Sequence, residues 1–172
     1  MEDCPELVHG MQPTRWISLP MGCAKVNFDG ANLHTQTATG IGGTCRNSEG
    51  ECVAWQQHYR EFEMSPEVAE AFATLDALQW ARRQGWRDVI FEGDCMGVVK
   101  KIRANTRDLS PIETILSDIF SCFSFFNSVS FSFVRREGNH PAHLLAHSAL
   151  LNLEGDGNPP PQVLDAVLAD LI

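Results

Sequence analysis

Three carboxylates stand where their immediate neighbours do not account for them: Asp29, Glu70 and Asp94. Glu70 lies in a helical stretch past the first turn, where the helix dipole does little for an acid. Its neighbours three, four and seven residues on are Ala73, Thr74 and Ala77, a small-residue side suited to close contact with a sheet. A carboxylate there needs a partner or a cation. A sheet lysine or arginine is the plain alternative to a metal. Asp29 closes an alternating strand, where an Asp-Gly turn explains it equally well. Asp94 follows an apolar strand and stands where a helix cap is wanted. Brought together at one sheet edge, three such oxygen donors suit Mg²⁺ or Mn²⁺. Two such ions about 3.5–4 Å apart can activate a water and stabilise the leaving oxygen of a phosphodiester.

The positioning elements follow from periodicity. Ala24 to Asp29 alternates as a strand, with Asp29-Gly30 ending it and Asn32 to Thr39 as a polar connection. Gly40 to Arg46 and Glu51 to Tyr59 flank the turn cluster Asn47-Ser48-Glu49-Gly50 and form a hairpin. Gly40, Gly42 and Gly43 lack the Gly-Lys-Ser/Thr ending of a phosphate loop and serve close packing. Ser65 caps a helix with Pro66 at its first position, and Gly85 stops it. Val68, Phe72, Leu75 and Leu78 form its apolar stripe, beside a small stripe of Ala69, Ala73, Ala77 and Ala81. Asp88 to Phe91 is a strand buried on both faces. Cys95 to Arg103 is a short helix, capped by Asp94. Pro111 to Phe126 is another, with Ile112, Ile115, Leu116, Ile119 and Phe123 inward. Ser128 to Val134 is the fifth strand, residues 135–139 a polar loop, and His140 to Leu151 a helix with His140 as its cap. The architecture is α/β: a five-stranded mixed sheet, an antiparallel meander of three strands and then two parallel strands, flanked by helices. Residues 1–22 form an extended lead-in, 23–151 the domain, and 152–172 an acidic Pro/Gly-rich tail with a short helix from Val163.

The chain has 172 residues, 44% hydrophobic, and a net charge of −9. That size supports one sizeable core, and the charge argues against broad electrostatic capture of nucleic acid. The six cysteines include no Cys-x-x-Cys pair, so a zinc finger is excluded and reduced thiols are expected. Cys45 and Cys52 flank the hairpin turn and could face each other. No apolar run reaches the roughly 20 residues of a membrane span. The expectation is a soluble intracellular monomer of nucleus or cytoplasm, without membrane contact.

A family resemblance rests on ordered motifs. They are Trp16…Pro20…Gly22…Lys25-Val26-Asn27-Phe28-Asp29-Gly30-Ala31, Gly40-Ile41-Gly42-Gly43…Arg46-Asn47-Ser48-Glu49-Gly50, Ala69-Glu70-Ala71…Ala77-Leu78, Glu92-Gly93-Asp94, and Val134-Arg135-Arg136-Glu137-Gly138-Asn139. From Trp16 to Leu151 the chain resembles the plant ribonuclease H-like domain, a family that includes the ribonuclease H regions of plant retroelements. The resemblance implies a ribonuclease H fold and metal-dependent cleavage of the RNA strand of an RNA/DNA hybrid. It implies metal-ligand roles for Asp29, Glu70 and Asp94, with Mg²⁺ or Mn²⁺ bound as a two-ion centre.

The chain departs from the wider superfamily at one position. Active ribonucleases H carry a fourth acid in an Ala-Asp-x-Leu-Ala context. Here the stretch is Ala142-His143-Leu144-Leu145-Ala146, so His143 takes the acid's place. Plant members resemble one version or the other. Imidazole can bind a metal or relay a proton, but it is a poorer Mg²⁺ ligand than carboxylate. The alternative to an endonuclease is therefore a weakened or inactive retroelement-derived domain that binds nucleic acid or protein. His143 and His147, one helical turn apart, offer a transition-metal pair without an evident third ligand. Arg135, Arg136 and Asn139 are the expected substrate contacts, with solvated loop charge as the plain alternative. Lys100, Lys101 and Arg103 could touch a nucleic-acid backbone, or be the wet face of a helix.

Overall fold

The structure, a computed structural model, describes residues 16–33, 35, 37–105, 107, 109–151 and 160–170. Residues 1–15 of the expected lead-in, 152–159 of the expected tail and 171–172 of its helix lie outside the described residues.

Five strands form one sheet: β1 (Ala24–Leu33), β2 (Ala38–Arg46), β3 (Cys52–Arg60), β4 (Asp88–Gly93) and β5 (Ser128–Phe133). Their spatial order is β3-β2-β1-β4-β5. β1–β2 and β2–β3 pair antiparallel, β1–β4 and β4–β5 parallel. The helices are α1 (Pro66–Gln84), α2 (Met96–Arg103), α3 (Glu113–Cys122), α4 (His140–Leu150) and α5 (Pro161–Asp170). This is the expected mixed sheet of a ribonuclease H-like fold.

β1 is the central strand, and both its faces are covered. Val26 and Phe28 point into the main apolar core with Leu78, Phe91 and Leu116. Each such side chain contributes about 1.5–3 kcal/mol by leaving water. The opposite face holds Lys25, Asn27 and Asp29, each 1% exposed, because α4 lies over it. Gly42 shows how closely: a Cβ there would fall 2.4 Å from the Ala146 nitrogen and 2.5 Å from the Ala142 carbonyl oxygen. Close packing is thus the role of this glycine.

β1 does not end at Asp29-Gly30 as expected; it runs on to Leu33. A Cβ at Gly30 would lie 2.7 Å from the Ala69 carbonyl oxygen, so this glycine admits α1 to the sheet rather than making a turn. Ala69, Ala73, Ala77 and Ala81 are all buried, while Val68 and Phe72 are half-buried. The small stripe is the face laid on β1. Ser65 caps α1, its Oγ accepting from the Val68 N–H at 3.4 Å, and Gly85 ends it at φ 77°.

Other expected boundaries move as well: β2 begins at Ala38 rather than Gly40, and the last helix at Pro161 rather than Val163. Cys95, not Asp94, occupies the N-cap of α2, and no side chain bonds there, because the Asp94 carboxylate is engaged elsewhere. α3 stops at Cys122 and passes into a 3-10 turn, Phe123–Phe125. The chain must then reverse into β5, and the N–H groups of Asn127 and Ser128 donate to the Arg87 carbonyl. α4 begins at His140, with Asn139 rather than His140 in the cap position. α5 lies against α4 through buried Val163 and Val167. Cys45 sits opposite Ala54 rather than Cys52, and both cysteines are free thiols with pKa values raised by burial. No helix among the described residues is long and apolar enough to cross a membrane.

Candidate metal centre

Parallel pairing of β1 with β4 sets Asn27 opposite Glu92. Two residues further along each strand are Asp29 and Asp94. Glu70, in the second turn of α1, reaches the same edge from the helix laid over β1. One oxygen from each of Asp29, Glu70 and Asp94 lies within 4.8 Å of the others. Asp29 is 1% and Glu70 7% exposed.

Such crowding is unfavourable without a cation. Burial pushes the Glu70 pKa well above its ordinary value, and the charges of Asp29 and Asp94 push the same way. Burial and Asp29 raise Asp94, against the opposing pull of Arg136 and His143. The plain alternative for Glu70 was a sheet cation. The buried sheet lysine, Lys25, is paired instead with Glu92 at 3.1 Å. Asp29 Oδ1 and Glu70 Oε2 are buried without a hydrogen-bond partner. An all-oxygen donor set with unpartnered buried oxygens fits a hard divalent cation.

His143 and Arg136 border the cluster. His143 Nδ1 lies 2.7 Å from Asp29 Oδ2, a hydrogen bond with one proton between them. The His147 ring stands edge-on to that of His143, centroids 4.3 Å apart. Burial first, then His143, lowers the His147 pKa. Arg136 Nε donates to Asp94 Oδ2 at 2.7 Å while its side chain remains 61% exposed. Arg135 is exposed on the same turn, as are Lys100 and Arg103 on α2, whereas Lys101 pairs with Glu67 at 2.8 Å.

Asn139, expected as a substrate contact beside the arginines, is instead placed inside the molecule. It is fully buried. Its Nδ2 donates to the Phe28 carbonyl at 2.9 Å, and its Oδ1 accepts from Asn27 Nδ2 at 3.2 Å. Asn27 Nδ2 also donates to Glu92 Oε2 at 3.1 Å. Lys25, Glu92, Asn27 and Asn139 therefore form a buried polar chain joining β1, β4 and the start of α4, the elements that bear Asp29, Asp94 and His143. Sequence reading missed this chain. Its one signal was the polar set Lys25 and Asn27 on a central strand.

Comparison with known proteins agrees with this fold. A family model described as reverse transcriptase-like matches residues 27–149. None of the curated proteins matches the chain. Among solved structures, the ribonuclease H1 of the halophilic archaeon Halobacterium salinarum aligns with TM-score 0.70 and 24% identity, over 76% of this chain and 98% of that one. The N-terminal ribonuclease H domain of a Mycobacterium tuberculosis protein aligns with TM-score 0.68 and 18% identity, over 76% and 94%. A ribonuclease H1 from a compost metagenome, solved with an RNA/DNA hybrid, aligns with TM-score 0.68 and 19% identity, over 75% and 97%. At these identities the structures speak for the fold. With the family model spanning most of the sheet and its covering helices, the chain belongs to the reverse transcriptase-like family and carries a ribonuclease H-like domain.

Proposed function

We propose that this protein is a metal-dependent endonuclease of the ribonuclease H type, hydrolysing the RNA strand of RNA/DNA hybrids. The observation that carries the reading is the convergence of Asp29, Glu70 and Asp94 within 4.8 Å, with buried acid oxygens left unpartnered. These three side chains would hold Mg²⁺ or Mn²⁺, with His143 beside Asp29 in the place of a fourth acid. Bound ions of this kind supply an activated water and stabilise the leaving oxygen. Arg136 stands at the rim with its guanidinium exposed, placed to exchange its bond to Asp94 for a substrate phosphate. Arg135 adds a second cation to that rim. His143 holds Asp29 Oδ2 and so orients its carboxylate. The buried polar chain through Asn139 keeps α4 seated beside β1, an indirect role in binding.

The resemblance to plant retroelement ribonuclease H regions supports that lineage, and the hybrid bound by the compost-metagenome neighbour supports the substrate class. The domain spans 23–151, acts as a monomer, and resides in the nucleus or cytoplasm. Free thiols at Cys45 and Cys122 in the interior support a reducing compartment.

The test is incubation of purified protein with an RNA/DNA hybrid labelled on the RNA strand, in Mg²⁺ and in Mn²⁺. Cleavage that disappears in Asp94→Asn is the expected result; an intact hybrid under both ions overturns the enzyme reading. His143 in the fourth position favours one second reading, a hybrid-binding domain without turnover. Binding without cleavage, with cleavage restored by His143→Asp, would establish it.

A further inference from the structure

We infer that Asp29 and His143 form a second cation position that selects a transition dication, such as Mn²⁺, Fe²⁺, Co²⁺ or Zn²⁺, over Mg²⁺. The inference rests on the metal-centre reading above and deepens it: the two positions of the centre differ in the ion they take. Asp29 is shared between two surroundings. On one side it meets Glu70 and Asp94, and every donor is a carboxylate oxygen. On the other it meets the His143 imidazole.

These donor sets favour different ions. Mg²⁺ prefers oxygen ligands and gives up water reluctantly. Imidazole suits the later divalent ions, whose affinity for nitrogen rises along the first transition row. A neutral imidazole also brings one negative charge fewer than a carboxylate, which weakens the hold on a hard cation most. The position is well seated. His143 lies four residues beyond buried Asn139, which bonds the Phe28 carbonyl beside Asp29. The α4 backbone around His143 touches β2 at Gly42. The imidazole is thus fixed on Asp29 by packing as well as by its hydrogen bond.

The spacing is compatible with an ion in place of the proton. Two adjacent ligand atoms, each about 2.1 Å from a metal, stand about 3 Å apart in an octahedral shell and about 3.4 Å apart in a tetrahedral one. Here nitrogen and oxygen are 2.7 Å apart, so a small opening admits the ion. His147 stands one turn further out, its ring beside that of His143. It lies outside the tight carboxylate cluster but offers a second imidazole.

The test uses the full chain without nucleic acid. Mn²⁺ is added to protein held in a large excess of Mg²⁺, and bound Mn²⁺ is followed by electron paramagnetic resonance. Wild type should retain one Mn²⁺ with a nitrogen hyperfine coupling. His143→Asp should lose that coupling, and its preference for Mn²⁺ over Mg²⁺ should fall on the order of 10–100-fold, the scale set by altered partners at metal sites. His143→Gln, also without the imidazole, serves as the second variant should the added acid disturb folding. Bound Mn²⁺ without nitrogen coupling in wild type, or equal displacement by Mg²⁺ in wild type and variants, overturns the proposal. Hybrid cleavage is assayed separately. A nitrogen-coupled Mn²⁺ in a protein that never cleaves contradicts the endonuclease reading alone. Cleavage by a protein that shows no such coupling contradicts the selectivity alone.

Discussion

Glu70 is the residue in greatest conflict with its surroundings. Its folded pKa lies above the unfolded value of about 4.3 because burial and two acids disfavour its charge. The folded state therefore holds the proton more tightly, and stability without metal falls as pH rises through and beyond the unfolded value. Glu70→Gln removes that penalty. In chelator at pH 7 its melting temperature should exceed wild type by about 2–4 °C, the shift that ~1 kcal/mol produces in a domain this size. The gap should close below about pH 4, where the acid is protonated in both states. Thermal unfolding at the two pH values checks this. Asp94→Asn should lower hybrid cleavage by at least about 100-fold, the upper range for disturbed metal partners, in a single-turnover assay. Glu70 was legible because an acid beside an alanine stripe demands a partner, and only a sheet cation or a metal ion could supply one. Asn139 was not: a loop asparagine after two arginines reads the same whether it faces water or, as here, the Phe28 carbonyl.

At the scale of elements, the site depends on how closely α4 and α1 approach the sheet. Gly42→Ala would drive a methyl into the Ala142 and Ala146 backbone. It should destabilise by about 1–3 kcal/mol, the usual range for overpacking, measured by denaturant unfolding. Asn139→Ala removes the side-chain bond to the Phe28 carbonyl and one of the two bonds of the Asn27 amide, which keeps Glu92. It should cost about 1–3 kcal/mol and also weaken metal binding, because His143 and Asp29 lose their shared support. A comparably destabilising change remote from α4, such as Ile119→Val, should leave metal binding intact. Strand alternation, the Ser65 cap and the Gly85 stop made most elements legible. Asp29-Gly30 misled because one dipeptide serves two purposes. It closes turns, and it also clears a strand for a helix, and only the packed α1 shows which applies. The Asp94 cap misled for a similar reason: Arg136, 42 residues away in sequence, claims the carboxylate.

The whole molecule carries −9, so its grip on a polyanion must be local. Arg136 bonds Asp94 and is exposed, Arg135 precedes it on the same exposed turn, and Lys100 and Arg103 are exposed on α2. At about 0.9 per neutralised phosphate, hybrid affinity should fall with salt at a log–log slope no steeper than about −4. Fluorescence anisotropy across a salt series measures it. The mixed sheet was legible as a whole because helix-linked strands after a meander have few ways to pack. The covering of the polar face of β1 was not, because α4 comes from the far end of the domain. The central claim is that Asp29, Glu70 and Asp94 form one cation site. Calorimetric titration of Mg²⁺ into metal-free protein tests it most directly. Saturable binding of at least one ion by wild type, lost in Asp94→Asn, is the result expected. Absence of binding, or binding unchanged in the variant, would contradict the account.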